Sequence, residues 1–435
     1  MTSAGGAISR SASAAPIRAD VCIIGGGPAG LMAAIAAGRQ RVVTTLVEAN
    51  ATAGKKLLVT GGGRCNFTHA ATIDELVRAF ASGGRFLRHA FHELPPDAVR
   101  AFLAERGIRS ITEPDGCVFP ATHRAIEIRD ALVKEAQGLG VRFVCGNRVT
   151  EIVADDGFRI TAGRQTVLAG RAILATGGAS WPQTGSTGDG YRLAHALGHD
   201  VVAPKPSLVP LVLRERWPRE LAGVSVAGVA IRATVDGRKV AGTGNMVFTY
   251  DGIGGPVAQD VSRFVTDALA AGQSGIEIRL DLLPATEQTV LAGQFQERLT
   301  HHAKKAVANV LAEFVPRRLA AALCRLAECD GELAANQVPK IARRRLVALA
   351  KLLPLHVTGT RPIDEATVTR GGASLEQIEP RTMASTVCPG LYFAGELIDA
   401  DGPCGGYNLQ MCFSTGLLAG RSASHSVVNP PSPAG

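Results

Sequence analysis

Residues 21–30 read VCIIGGGPAG, and no other stretch restricts the fold of this chain as strongly. Residues 21–24 are uncharged and largely β-branched, the pattern of a strand buried on both faces of a parallel sheet. The strand runs straight into glycines at GxGxxG spacing. Gly25 permits a tight turn, Gly27 lets the backbone approach a pyrophosphate, and Gly30, beside Ala29, lets the next helix pack on the strand. The alanine-rich residues 31–38 continue as a helix whose positive dipole end faces the diphosphate. A second strand over residues 42–47 ends at Glu48, about twenty residues after the glycines, where a carboxylate takes ribose hydroxyls and repels a 2′-phosphate. Residues 21–38 carry no charge, but their five glycines and one proline make a poor membrane span.

At 435 residues the chain is longer than one ordinary domain, and its 46% hydrophobic content fits a globular protein of two or three packed units. Residues 1–18 are small and polar without an apolar run, so they read as a disordered extension and not a secretory signal; residues 425–435 read as a flexible tail. The nine cysteines are dispersed and form no CxxC pair, which argues against zinc and a disulfide framework and for a reduced cytoplasm. The net charge of +8 raises the question of nucleic acid, and residues 339–351 gather five basic side chains. A helix spreads these around a solvated face, and aromatics are only 5% of the chain, so a small-molecule substrate is expected, with no nucleic-acid or membrane partner. Oligomeric state is not legible.

Residues 142–145, 149–153 and 158–161 read as strands, the last two joined by an Asp156-Gly157 turn. Residues 171–178, RAILATGG, read as another buried strand whose end, with Ala175 and Gly177, allows close approach to a ligand. Prolines at 204, 206 and 210 and a second turn at Asp236-Gly237 mark a β-rich insert over 201–284. Helical periodicity marks a second insert over 285–353. Strand and glycine return at LYFAG, residues 391–395. The expected fold is α/β: a Rossmann-like, two-part dinucleotide-binding domain, residues 19–200 and 354–424, carrying a β-rich and a helical insert.

Lys55 and Lys56 precede TGGGRCN at 60–66, a loop of cations, bare backbone and a side-chain amide suited to phosphates and a polar heterocycle. Residues 405–410 open a helix whose N-terminus carries partial positive charge. No Ser-His-Asp pattern, metal-ligand helix or Walker loop is present. His195 and His199 are spaced i, i+4 but lack a third ligand, so no metal is expected. GSTGDG at 185–190 lacks the spacing of a second nucleotide turn.

VCIIGGGPAG, TGGGRCN, LATGGASWPQTGSTGDGYRLA, PSLVPL, LYFAGELIDADG and GGYNLQMCFSTGLLAG together resemble the BaiN/YhiN-like family of FAD-binding flavoproteins, some of whose members carry the name aminoacetone oxidase family; the similarity runs from about residue 19 to 420. The resemblance implies FAD, with Gly25, Gly27, Ala29 and Gly30 at the pyrophosphate and Glu48 at the adenosine ribose. Val149 would meet adenine through its backbone. Lys56, Gly62, Arg64 and Asn66 would line the cofactor channel with Ala175 and Gly177, while Gly395, Glu396 and Asp399 and then Gly406, Tyr407, Asn408 and Leu409 would approach the ribityl chain and flavin ring. The chain departs from the family pattern at Cys117, where a basic residue is usual, and at Ala373, where a β-branched residue is common.

With no other reactive group in view, the flavin is the expected redox centre, and Cys65 and Asn66 are the side chains proposed nearest the chemistry, a packed structural cysteine being the ordinary reading of Cys65. Cys65 and Cys404 form a conceivable redox pair. The expected function is an FAD-dependent oxidoreductase: a reductase or dehydrogenase driven by NADH or NADPH docking transiently over the flavin. The alternatives are an oxygen-using amine oxidase and a redox-sensing or RNA-associated flavoprotein.

Overall fold

The computed structural model describes residues 15–429; the expected extension and tail lie largely outside them. Contacts divide the chain into two compact units, one formed by residues up to Pro204 and from Arg370 on, the other by Lys205–Thr369.

The first unit is built on a seven-stranded sheet. Ile17–Ile24 lies at its centre, parallel to Thr44–Glu48 on one side and Gln165–Leu174 on the other. Arg142–Cys145 adds parallel to Thr44–Glu48, and Leu391–Phe393 adds parallel to Gln165–Leu174. Val149–Ala154 and Phe158–Ala162 form an antiparallel hairpin beside Gln165–Leu174, turned at Asp156 (φ 42°) and Gly157 (φ 108°). Ile17 and Arg18, expected in the disordered extension, pair with Val167 and Leu168. The glycine-turn helix is Pro28–Arg39, and almost all of it is buried because the last helix, Tyr407–Val428, crosses it. That crossing is close: a Cβ on Gly416 or Gly420 would collide with the carbonyl oxygens of Ala29 and Ala33. The last helix also claims residues 425–428 from the expected tail.

The second unit is a closed six-stranded antiparallel barrel in the order Leu211–Leu213, Gly252–Gly254, Arg238–Phe248, Ser225–Val235, Ile276–Asp281, Leu353–Thr360. Asp236-Gly237 turns its longest hairpin, pairing Val235 with Arg238. A helical segment from Gln288 to Lys351 is inserted between the last two strands. Two features depart from the sequence expectation. The chain leaves this unit at Arg370, not at residue 354, because Leu353–Thr360 closes the barrel against Ile276–Asp281 and Leu211–Leu213. The β-rich stretch also holds a helix, Pro256–Ala270, whose buried face packs on Arg238–Phe248. Lys351 ties the helices to the barrel: its Nζ donates to Asp281 Oδ2 at 2.8 Å and to the carbonyls of Leu283 and Thr286 at 2.7 Å each.

Candidate functional site

The glycine turn is shaped by sterics on one side and left bare on the other. Gly25 has φ 107°, and a Cβ there would run into the Ala175 carbonyl; one on Gly30 would run into the Gly25 carbonyl. A Cβ on Gly27 would meet nothing within 4 Å, so the open side of the turn is where a ligand has room. Gly27 caps Pro28–Arg39 with no side-chain hydrogen bond, and the first turn has no acidic residue, so its N–H groups point at that space uncompensated.

Glu48 ends the second strand, buried, with its carboxylate largely engaged. Oε2 accepts from Gly26 N at 2.6 Å; Oε1 accepts from Asn50 N at 2.7 Å and Asn50 Nδ2 at 2.6 Å. Of about four lone-pair sites on a carboxylate, one on Oε2 is left for a ribose hydroxyl. Glu48 therefore fixes the turn as well as facing the cleft, which Val149, Thr176 and Asp189 also line. Arg148 spans one rim, ion-paired with Asp189 and donating to Thr187 Oγ1 at 2.8 Å. Thr176 Oγ1 is buried with no hydrogen-bond partner, packed against Gly190, where a Cβ would lie 1.9 Å from it. Thr176 follows Ala175, whose N–H donates to Ile24 O at 2.8 Å, and precedes Gly177 at φ 77°. An adenosine diphosphate moiety fits this set.

The other residues expected at the cofactor come from three further chain segments. Lys56 Nζ donates to Ser180 Oγ and Glu396 Oε2, both at 2.8 Å, and Ser180 Oγ donates to Glu396 Oε1 at 3.1 Å. Gly395 N donates to Thr415 Oγ1 at 3.0 Å and Asp399 N to Ala373 O at 3.0 Å, which fixes the chain after the last sheet strand. In the glycine loop Gly62 has φ 67° and open space over its Cα. Arg64 stands half-exposed, 2.9 Å from Glu113 and stacked 4.2 Å over Phe119, so the structure engages it there. Asn66 Oδ1 accepts from Val118 N at 3.2 Å.

Gly406, at φ 94°, caps the last helix; a Cβ there would meet Thr68 O and Asn66 Oδ1. Tyr407 stacks on His69 with centroids 4.5 Å apart, and His69 Nδ1 lies 2.9 Å from Gly405 O. Beneath, Thr68 Oγ1 donates to Gln410 Oε1, and Gln410 Nε2 donates to Leu94 O at 2.7 Å, a buried chain that pins the helix start. Asn408 is turned to its own loop: Oδ1 accepts from Gly402 N at 2.8 Å, and Nδ2 donates to Gly402 O and Pro403 O. Leu409 is half-buried on the same turn.

The proposed role of Cys65 does not survive. The residue is fully buried at φ 61°, and burial pushes its thiol up to about 12, so it is neither a nucleophile nor a partner for Cys404. His199 is buried against Phe393 with Nε2 2.6 Å from Ser385 Oγ, a packed histidine; among the described residues no metal-holding group occurs. His69, Thr176 and Ser180 were not singled out from sequence. Ser180 follows the LATGGA glycines, a signal that was there to read; His69 and Thr176 gave none.

The HI0933-like protein Rossmann domain family matches residues 19–422. The 3-dehydro-bile acid delta(4,6)-reductase of Clostridium scindens is 32% identical, with 92% of this chain and 98% of that protein covered. The ribosomal RNA dihydrouridine synthase of Escherichia coli is 29% identical, with 93% and 100% covered. Among solved structures, 3-ketosteroid delta1-dehydrogenase from Sterolibacterium denitrificans is similar in fold, with TM-score 0.52 at 14% identity over 94% of this chain and 100% of that one. The E. coli quinol fumarate reductase chain FrdA is similar in fold too, with TM-score 0.52 at 18% identity over 96% of this chain and 72% of that one. No helix among the described residues is long and apolar enough to cross a membrane.

Proposed function

The chain belongs to the HI0933-like Rossmann family and is an FAD-dependent oxidoreductase, and from that premise we propose that it is a nicotinamide-driven reductase of a carbon–carbon double bond conjugated to a carbonyl. The observation that carries the reading is shared chemistry. The names of the C. scindens and E. coli relatives both describe saturation of such a bond, one in a 3-oxo bile acid and one in uridine.

Bound FAD would supply the hydride. The protein's part is to hold and polarise. The bare face of Gly27 and the first turn of Pro28–Arg39 would bind the diphosphate, and Glu48 and Val149, which line the cleft, the adenosine side. Lys56, held by Ser180 and Glu396, would fix one wall of the channel. The helix start at Gly406-Tyr407 would favour negative charge on the flavin pyrimidine and so raise its potential. Only one glycine turn of the required spacing exists, so NADH or NADPH would dock transiently.

For the substrate, a second reading is favoured by specific observations. Two relatives act on ribosomal RNA by name, the net charge is +8, and Lys340, Arg344 and Arg345 are exposed on the helix Lys340–Lys351. That reading makes the substrate a uridine within RNA, and steep salt dependence of RNA binding is its signature.

The test is anaerobic addition of NADH or NADPH to the FAD-loaded protein. Rapid bleaching of the flavin is expected. No bleaching by either, with oxygen consumption on amines, would overturn the reading in favour of an oxidase.

A further inference from the structure

GSTGDG at 185–190 lacks the spacing of a nucleotide turn, yet Gly185, Thr187 and Asp189 line the same cleft as Glu48 and Val149. The segment 180–189 that carries them belongs to no sheet. Its course is set by the short turn Pro182–Thr184 and by left-handed residues, Trp181 at φ 56°, Gly185 at φ 100° and Gly188 at φ 79°. Tryptophan keeps such a backbone only where its surroundings hold it.

The groups that hold the segment are side chains from elsewhere in the first unit. Lys56 Nζ donates to Ser180 Oγ at 2.8 Å, Lys55 Nζ to Gln183 O at 2.7 Å, and Arg148 to Thr187 Oγ1 at 2.8 Å beside its ion pair with Asp189. All three are cations, and the last two contacts are exposed, so salt weakens them. Asn50 is the neutral tie and is partly buried. Its Nδ2 donates to Thr184 O at 3.0 Å and to Glu48 Oε1 at 2.6 Å, which spends both amide protons. A Cβ on Gly185 would lie 2.5 Å from that nitrogen, so glycine is what lets the segment settle on the amide.

We infer that Asn50 is a positioning residue that couples ribose recognition at Glu48 to closure of residues 180–189, so that FAD leaves only when this segment lifts. The inference rests on the reading that the cleft takes the adenosine end of FAD. Asn50 occupies Glu48 Oε1 twice, through its own N–H at 2.7 Å and through Nδ2, and this turns Oε2 toward Gly26 N and the cleft. Without the amide, Oε1 keeps only the backbone N–H. The carboxylate then gains freedom to rotate, and the segment is left to its cationic ties. Loss of Asn50 therefore speeds cofactor release and makes that release sensitive to salt.

The experiment follows recovery of free-flavin fluorescence after dilution of the FAD-loaded full chain at low and at high NaCl, in wild type, Asn50→Ala, Gly185→Ala and Glu48→Gln. Asn50→Ala should release FAD about 10–100-fold faster, and faster again at high salt, where wild type changes little. Gly185→Ala keeps Asn50 but displaces its amide, and it should behave likewise. A second readout needs no bound flavin. Trp181 and Trp217 are the two tryptophans, so in a Trp217→Phe background Trp181 reports alone. ADP added to the FAD-free chain should protect Trp181 from acrylamide quenching, and Asn50→Ala should abolish the protection; this readout decides the matter if Asn50→Ala loses FAD on purification. Release within about twofold of wild type in both Asn50→Ala and Gly185→Ala, an unaltered salt dependence, or full ADP protection in Asn50→Ala overturns the inference. Fast release from Glu48→Gln beside wild-type release from Asn50→Ala overturns this inference alone. Wild-type release from Glu48→Gln overturns the placement of adenosine in the cleft, and the inference with it.

Discussion

Each of the two units holds a lysine–carboxylate pair at 2.8 Å, and the two pairs are built for different ends. In the barrel unit Lys351 spends its three N–H donors on Asp281, Leu283 O and Thr286 O, and both side chains are almost wholly buried. In the Rossmann unit Lys56 spends two donors, on Ser180 and Glu396, and remains partly open. A saturated buried pair has nothing left to give a ligand and serves architecture. Lys56, with a third N–H beyond these two bonds and a partly open side chain, keeps capacity for one.

Removing one partner of the buried pair is the harshest way to break that contrast. Lys351→Met strands Asp281 and should cost about 3–5 kcal/mol, read as a lower urea midpoint; adding Asp281→Leu should recover much of it, because an apolar pair of similar volume carries no uncompensated charge. Next in size, Gly30→Ala should abolish FAD retention on purification, since its Cβ has no room against the Gly25 carbonyl. Lys56→Met should cost only about 1–2 kcal/mol of stability yet weaken FAD about tenfold or more, measured by flavin fluorescence. Equal loss of stability at both lysines would erase the distinction.

The smallest effect concerns pH. Burial lowers the His199 pKa below its ordinary 6.5, so the unfolded chain binds the proton first. Stability should fall as pH drops from 6.5 toward the folded value. His199→Gln should flatten that slope in urea titrations.

The same contrast explains what was legible in the sequence. The Rossmann unit announces itself because phosphate chemistry dictates residue types at fixed spacing: Gly25, Gly27, Gly30 and Glu48 stand where the motif requires them. The barrel has no such obligation. Its closing strand Leu353–Thr360 pairs with residues far away in sequence, so nothing local told it apart from the returning nucleotide domain, and the expected boundary fell short of Arg370. Within the site, backbone-driven positions were readable and side-chain direction was not. Asn408 ties its own loop, Arg64 stacks on Phe119, and Cys65 is buried by a left-handed backbone that its type does not predict. Thr176 and His69 gain meaning only from tertiary neighbours.

The crossing of Pro28–Arg39 by Tyr407–Val428 also sets a schedule for synthesis. The first cofactor helix is translated well before the surface that buries it, with Gly416 and Gly420 seated on Ala29 and Ala33. The barrel unit lies wholly within that interval and can complete its own core first. Until Tyr407–Val428 emerges, the nascent chain carries the alanine-rich face of Pro28–Arg39 without the helix that covers it.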